Sequence, residues 1–129
     1  MTAKQQYSSW KHQLGIYLFL KDKKYIKWVK EQYPYLDCHH LLGSVTSKKT
    51  TDYLVYPIPH EYHLNVAENN RPEAFEKYYK ASMRLLVAYK NYLTDKAIIL
   101  DREELTHYSP EEFINIVKKI IELKTRAKS

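Results

Sequence analysis

The sequence predicts an α+β fold, a helix-rich single domain built around a small β-hairpin centre. Three features predict it: helical periodicity at both ends of the chain, its loss between residues 35 and 70, and a near absence of glycine. Only Gly15 and Gly43 occur among 129 residues, so few left-handed turns are available. Helices joined by polar loops are therefore expected rather than a many-stranded sandwich. A chain of this length holds one hydrophobic core, not two.

Four or five helices are expected. The first spans roughly Ser9 to Leu20. The second runs from Asp22 to Gln32, with Asp22 as N-cap, Ile26, Val29 and Tyr33 at helical spacing, and Pro34 ending it. The period then disappears through Gly43, Pro57, Pro59 and the Ser/Thr/Lys-rich stretch from Ser44 to Thr51, which reads as an exposed loop or hairpin tip. Tyr53 to Tyr56 is β-branched and aromatic and is bounded by a proline, so it reads as a strand in a short antiparallel hairpin between Leu36 and Pro57. Helical period returns at Arg71, after Asn70 as N-cap and with Pro72 in the first turn. Phe75, Tyr78, Tyr79, Met83, Leu86 and Tyr89 or Lys90 mark one face of this helix as far as about Leu93. In the last helix Ser109 caps, Pro110 takes the first position and Glu112 completes a capping box. Its stripe is Phe113, Ile116, Val117, Ile120, Ile121 and Leu123, and Lys124 to Lys128 suit its C-terminus.

A formal charge of +6 favours polyanionic partners, nucleic acid first and an anionic membrane surface second. No apolar run approaches the length of a membrane span, and the start, MTAKQQYSS, lacks the apolar run of a signal peptide. With Cys38 as the sole cysteine no internal disulfide forms, and a cytoplasmic location is expected. The thirteen tyrosines fall mostly beside aliphatic residues at helical spacing, so core packing is expected of them rather than base stacking.

The chemistry-bearing residues are concentrated in the irregular centre. Four of the six histidines, His39, His40, His60 and His63, lie there, and clustering of this kind is a metal-site signal. The stretch Asp37-Cys-His-His-Leu-Leu-Gly-Ser44 is followed by Asp52 twelve positions after His40 and by Tyr56-Pro-Ile58. His63 stands eleven positions after Asp52. This pattern resembles the core of the phage-associated branch of the HNH (ββα-metal, His-Me finger) nucleases. The upstream helix Lys24-Tyr-Ile-Lys-Trp-Val-Lys30 is similar to the one that leads into such cores. The resemblance covers residues 24–70 and leaves 71–129 as a helical extension.

The resemblance implies a metal-dependent endonuclease that hydrolyses DNA, in preference to RNA, around one divalent ion (Mg, Mn, Ni or Zn). In it His39 and His63 bind the metal, His40 is the general base, and Asp52 braces the loop that positions that base. Lys48 and Lys49 contact phosphates. One ion stabilises charge on the scissile phosphate while a neutral imidazole takes a proton from water, and a single histidine does not serve both purposes. Where the family places a further histidine, four residues after position 63, this chain has Ala67. Asn65, Glu68 and His60 are the alternative third ligands, and Ala67→His is expected to complete the set. Tyr35 and Cys38 stand where the branch often has a cysteine pair, which leaves no zinc knuckle. Two other functions stand beside the nuclease: a non-catalytic nucleic-acid-binding relative without metal, and a helical interaction protein whose histidines are incidental.

Overall fold

The computed structural model describes residues 1–95, 105 and 107–127. The α+β class holds: five helices enclose two small antiparallel β-pairs among the described residues. Of the basic run expected to end the last helix, Lys128 lies outside the described residues.

Helix α1 is Ala3–Gln13 and begins before Ser9, because Thr2 and Gln5 close a capping box. Gln5 N–H donates to Thr2 Oγ1 at 3.1 Å, and Thr2 N–H donates to Gln5 Oε1 at 2.8 Å. The helix does not reach Leu20. Leu14 is its C-cap and Gly15 turns left-handed at φ +54°, so Gly15–Phe19 continues only as a 3₁₀ turn. Helix α2, Lys23–Gln32, matches its expectation, with Asp22 Oδ1 accepting Tyr25 N–H at 3.0 Å.

The expected hairpin is β1, Asp37–His40, paired antiparallel with a later strand, Val55–Ile58, so that His39 faces Tyr56 and His40 faces Val55. Nested between them are β2, Ser44–Val45, and β3, Lys48–Lys49, which makes the later strand β4. β4 starts two residues past Tyr53 because that residue is engaged elsewhere. Its N–H donates to Thr51 Oγ1 at 3.1 Å and its hydroxyl to Asp22 Oδ2 at 2.8 Å. Pro57 is tolerated inside β4 because a two-stranded pair leaves one edge of the strand without a partner. The tip of β2–β3 is Thr46–Ser47, at φ 51° and 66°. Left-handed turns are thus made without glycine there, at a cost of roughly 1 kcal/mol per residue. Thr50 and Thr51, expected in an exposed stretch, are buried.

After β4 come α3, His60–Tyr62, and a π-helical turn, His63–Ala67. Helix α4, Arg71–Asp95, is the spine: α1, α5 (Pro110–Ala127) and β4 all pack on it. Trp10 meets Phe75, Tyr79 and Phe113 edge-on at 5.5, 5.7 and 5.9 Å. Tyr25, fully buried, packs on Trp28, Tyr53 and Tyr89. Tyr79 and Tyr89 are buried and Tyr78 stacks on Tyr56 at 5.2 Å, so these tyrosines are packing residues. No helix among the described residues is long and apolar enough to cross a membrane.

Residues 20–22 and 50–53 are stitched together. Asp52 N–H donates to Leu20 C=O at 3.1 Å, Asp22 N–H to Asp52 Oδ2 at 2.8 Å, and Lys21 Nζ to Thr50 C=O at 2.8 Å. Asp22 is buried and also receives Lys124 of α5. Asp22→Ala therefore removes an N-cap and leaves the Tyr53 hydroxyl and the Lys124 ammonium without their acceptor. The expected loss is about 3 kcal/mol in denaturant unfolding, and less for Asp22→Asn, which keeps the capping oxygen.

Candidate metal centre

β1 presents successive side chains to opposite sides, yet both of its last two residues belong to the site. His39 points inward and is 1% exposed, and neither of its ring nitrogens has a hydrogen-bond partner. His40 points toward Asp52, its Nε2 2.8 Å from Oδ1. The turn that follows needs Gly43. It has φ +68°, and a Cβ there would lie 2.8 Å from Tyr7 Oη and 3.0 Å from Arg71 Cδ. Thr50 locks this turn, giving both its N–H and its hydroxyl to Gly43 C=O at 3.0 and 2.9 Å.

The π turn supplies the third donor. Glu68 N–H bonds back five residues to His63 C=O at 3.0 Å, so Glu68, and not the residue four after His63, lies over His63. His39, His63 and Glu68 each offer a ligand atom, and the three atoms lie within 4.8 Å of one another. His63 Nε2 is 2.8 Å and His39 Nδ1 is 3.5 Å from Glu68 Oε1. A tetrahedral ion with bonds of about 2.0 Å spaces its ligand atoms about 3.3 Å apart, so this spacing fits one ion. Two lone-pair donors at 2.8 Å also repel unless a proton or a cation lies between them.

The surrounding groups orient these donors. Asp37 Oδ2 lies 3.0 Å from His63 Nδ1, the carboxylate–histidine arrangement common behind metal ligands, and 2.7 Å from His60 Nδ1. Arg71 grips Glu68 Oε2 through Nη2 at 2.7 Å and Nε at 3.3 Å. Hydrogen bonds from His63 and then His60 lower the Asp37 pKa. Burial raises that of Glu68, but Arg71 and His63 outweigh it and the net shift is downward. Asp52 shows the same balance: burial raises it, and His40 and the Asp22 N–H overcome that. All three carboxyls are held ionised. Burial, with His63 adding to it, drives His39 down to about 4, so its imidazole is neutral, the form that ligates a metal.

His39, His40, His63 and Asp52, singled out in the sequence, are thus brought together. Of the alternatives, Glu68 joins His39 and His63, whereas Asn65 is exposed and His60 serves Asp37. Asp52 acts on the His40 ring itself and not only on its loop. Lys49 lines a small cleft of about 150 Å³ with His40, His63, Glu68 and Arg71, while Lys48 lies over the Phe19 ring at 5.2 Å. Asp37 and Arg71 carried no signal of a role in the sequence. The chain matches no protein-family model, no curated protein and no solved structure.

The expectation for Ala67 is corrected. Ala67 is fully buried against Ile58 and Ala74, because the π turn rotates it away from His63. Ala67→His should therefore cost about 1–3 kcal/mol of stability through overpacking and should not tighten Mn²⁺ binding in titration calorimetry. The pH dependence of the metal-free chain follows from His39. The unfolded imidazole binds a proton below its ordinary 6.5 and the folded one only below about 4. The unfolded state thus holds more protons in that window, and stability falls as pH drops from 6.5 to 4, by at most about 3 kcal/mol. Unfolding in chelator should show this slope, and His39→Leu should remove it.

Proposed function

We propose that this chain is an HNH-like, metal-dependent endonuclease that hydrolyses DNA phosphodiesters with His40 as general base. The observation that carries the reading is the His39, His63 and Glu68 donor group set beside a cleft that His63 and Glu68 line together with His40, the partner of Asp52. Buried His39, with two unpartnered nitrogens, fits a cation better than it fits a structural role.

Asp52, ionised and 2.8 Å from His40 Nε2, fixes the proton on Nε2 and leaves Nδ1 as the basic nitrogen. Nδ1 then takes a proton from water, the water oxygen bonds to phosphorus, and the bond from phosphorus to the leaving sugar oxygen breaks. Lys49 and Arg71, lining the same cleft, hold the phosphate oxygens. A divalent cation on His39, His63 and Glu68 would supply the charge that stabilises the transition state and the leaving oxygen. Two imidazoles and one carboxylate favour Zn²⁺ or Ni²⁺ over Mg²⁺, whose preferred ligands are oxygens. Cys38 is not in the donor group, and burial raises its thiol pKa away from the thiolate that ligates metals.

Calorimetry with Mn²⁺ and Ni²⁺, together with cleavage of labelled duplex DNA, tests the reading. His39→Ala and His63→Ala should abolish metal binding. His40→Ala should keep the metal and slow cleavage by about 10²–10⁴. A His63→Ala variant that binds metal as the wild type does sinks the proposal. DNA binding with neither metal uptake nor cleavage by the wild type would favour the non-catalytic relative.

A further inference from the structure

Helix α2 presents Lys23, Lys24, Lys27 and Lys30 to solvent, and none of them makes an ion pair among the described residues. Lys23, Lys27 and Lys30 recur at the three- and four-residue spacing of one helix face. Two of the four stand in the first turn, which has no acidic residue. The positive end of a helix disfavours cations, so fold stability does not account for lysines in this place, whereas an anionic partner does.

Lys23, Lys24 and Lys27 border a cleft of about 670 Å³ between α2 and the C-terminal parts of α4 and α5. Lys21, Lys23, Lys24 and Lys27 form one side, and of the aromatic residues that line it Trp28 and Tyr89 are buried and Tyr92 is partly exposed. Asp22 and Glu31 are its acids, and Asp22 is already taken up by Tyr53 and Lys124. Lys21 joins this cleft to the metal centre. Its Nζ donates to Lys49 C=O at 2.7 Å and lies 3.9 Å from Asp52 Oδ1, and Lys49 lines the small cleft beside His40.

We propose that the α2 cleft binds a single-stranded flank of the nucleic-acid substrate, phosphates on Lys23, Lys24 and Lys27 and a base toward Tyr92. The inference takes its substrate class from the proposed nuclease function. A cleft of this volume holds a nucleotide or two and no duplex, and an aromatic face is reached by unpaired bases.

Fluorescence anisotropy of labelled oligo-dT and of a blunt duplex, in EDTA over a series of salt concentrations, tests it. K23Q/K24Q/K27Q should weaken oligo-dT binding at low salt and flatten its log–log salt slope by about 2, since each single-strand phosphate contact contributes about 0.7. Duplex binding should change less. K4Q/K118Q/K119Q, which removes equal charge from α1 and α5, should leave the oligo-dT slope unchanged. The inference is overturned if the α2 variant binds oligo-dT as the wild type does, or if the control variant loses as much. It is also overturned if wild-type chain binds phosphatidylserine vesicles and no oligonucleotide. Loss confined to the α2 variant, in a wild type that takes up no metal, would uphold this subsite and sink the nuclease reading instead.

Discussion

Three stretches of chain, distant in sequence, are held in one arrangement by the Asp52 carboxylate. One oxygen accepts the Asp22 N–H and the other meets His40, each at 2.8 Å, while the Asp52 N–H reaches back to Leu20 C=O. The start of α2, the end of the β2–β3 excursion and the end of β1 thereby share a single buried group. Asp22 extends the set to α5 through Lys124 and to the aromatic core through Tyr53. Charge-assisted bonds of this kind are worth about 1.5–3 kcal/mol each, and losing one partner strands the other. The orientation of His40 is therefore a property of the whole fold, set by contacts that also hold the N-terminal helices against the β-pairs.

The buried His39 has the opposite character, since neither of its ring nitrogens has a hydrogen-bond partner and only Glu68, at 3.5 Å, faces it with charge. A desolvated imidazole with two unpartnered nitrogens costs on the order of 1–3 kcal/mol, and an apolar residue there would pack without that penalty. The Thr46–Ser47 tip between β2 and β3 is a second departure from the most stable choice, with both residues at positive φ.

How much of this was legible follows from which interactions are local. The caps at Asp22 and Ser109 are short-range, and both hold: Ser109 Oγ accepts the Glu112 N–H at 3.2 Å. Glu112 itself reaches past the cap residue, taking the His107 N–H at 2.7 Å in place of the reciprocal bond a capping box implies. The histidine cluster was legible because apolar periodicity fails around it. The Thr2 box is written in the sequence as Thr-x-x-Gln, but the first apolar stripe begins later and gives it no periodic run to start. The shift of β4 was not legible, because it depends on a bond from the Tyr53 hydroxyl to Asp22, 31 residues away. Least legible was the π turn. One added residue per turn moves the donor from position 67 to position 68, and helical spacing counted from His63 selects the wrong residue.

The charge around the centre bears on how such a site meets a phosphodiester. Asp37, Asp52 and Glu68 are all held ionised, and the cations that touch them are Arg71 and Lys21, so the metal-free centre carries an excess negative charge. His39, being neutral, does not offset this. A polyanion therefore gains little by approaching the centre itself, and a divalent cation reverses the sign there. Affinity for a nucleic-acid backbone has to come from lysines outside the centre, such as those along α2, whose charge is not spent on carboxylates. On the proposed reading, binding and hydrolysis fall to different surfaces of a small domain, with Lys21 and Lys49 at their junction.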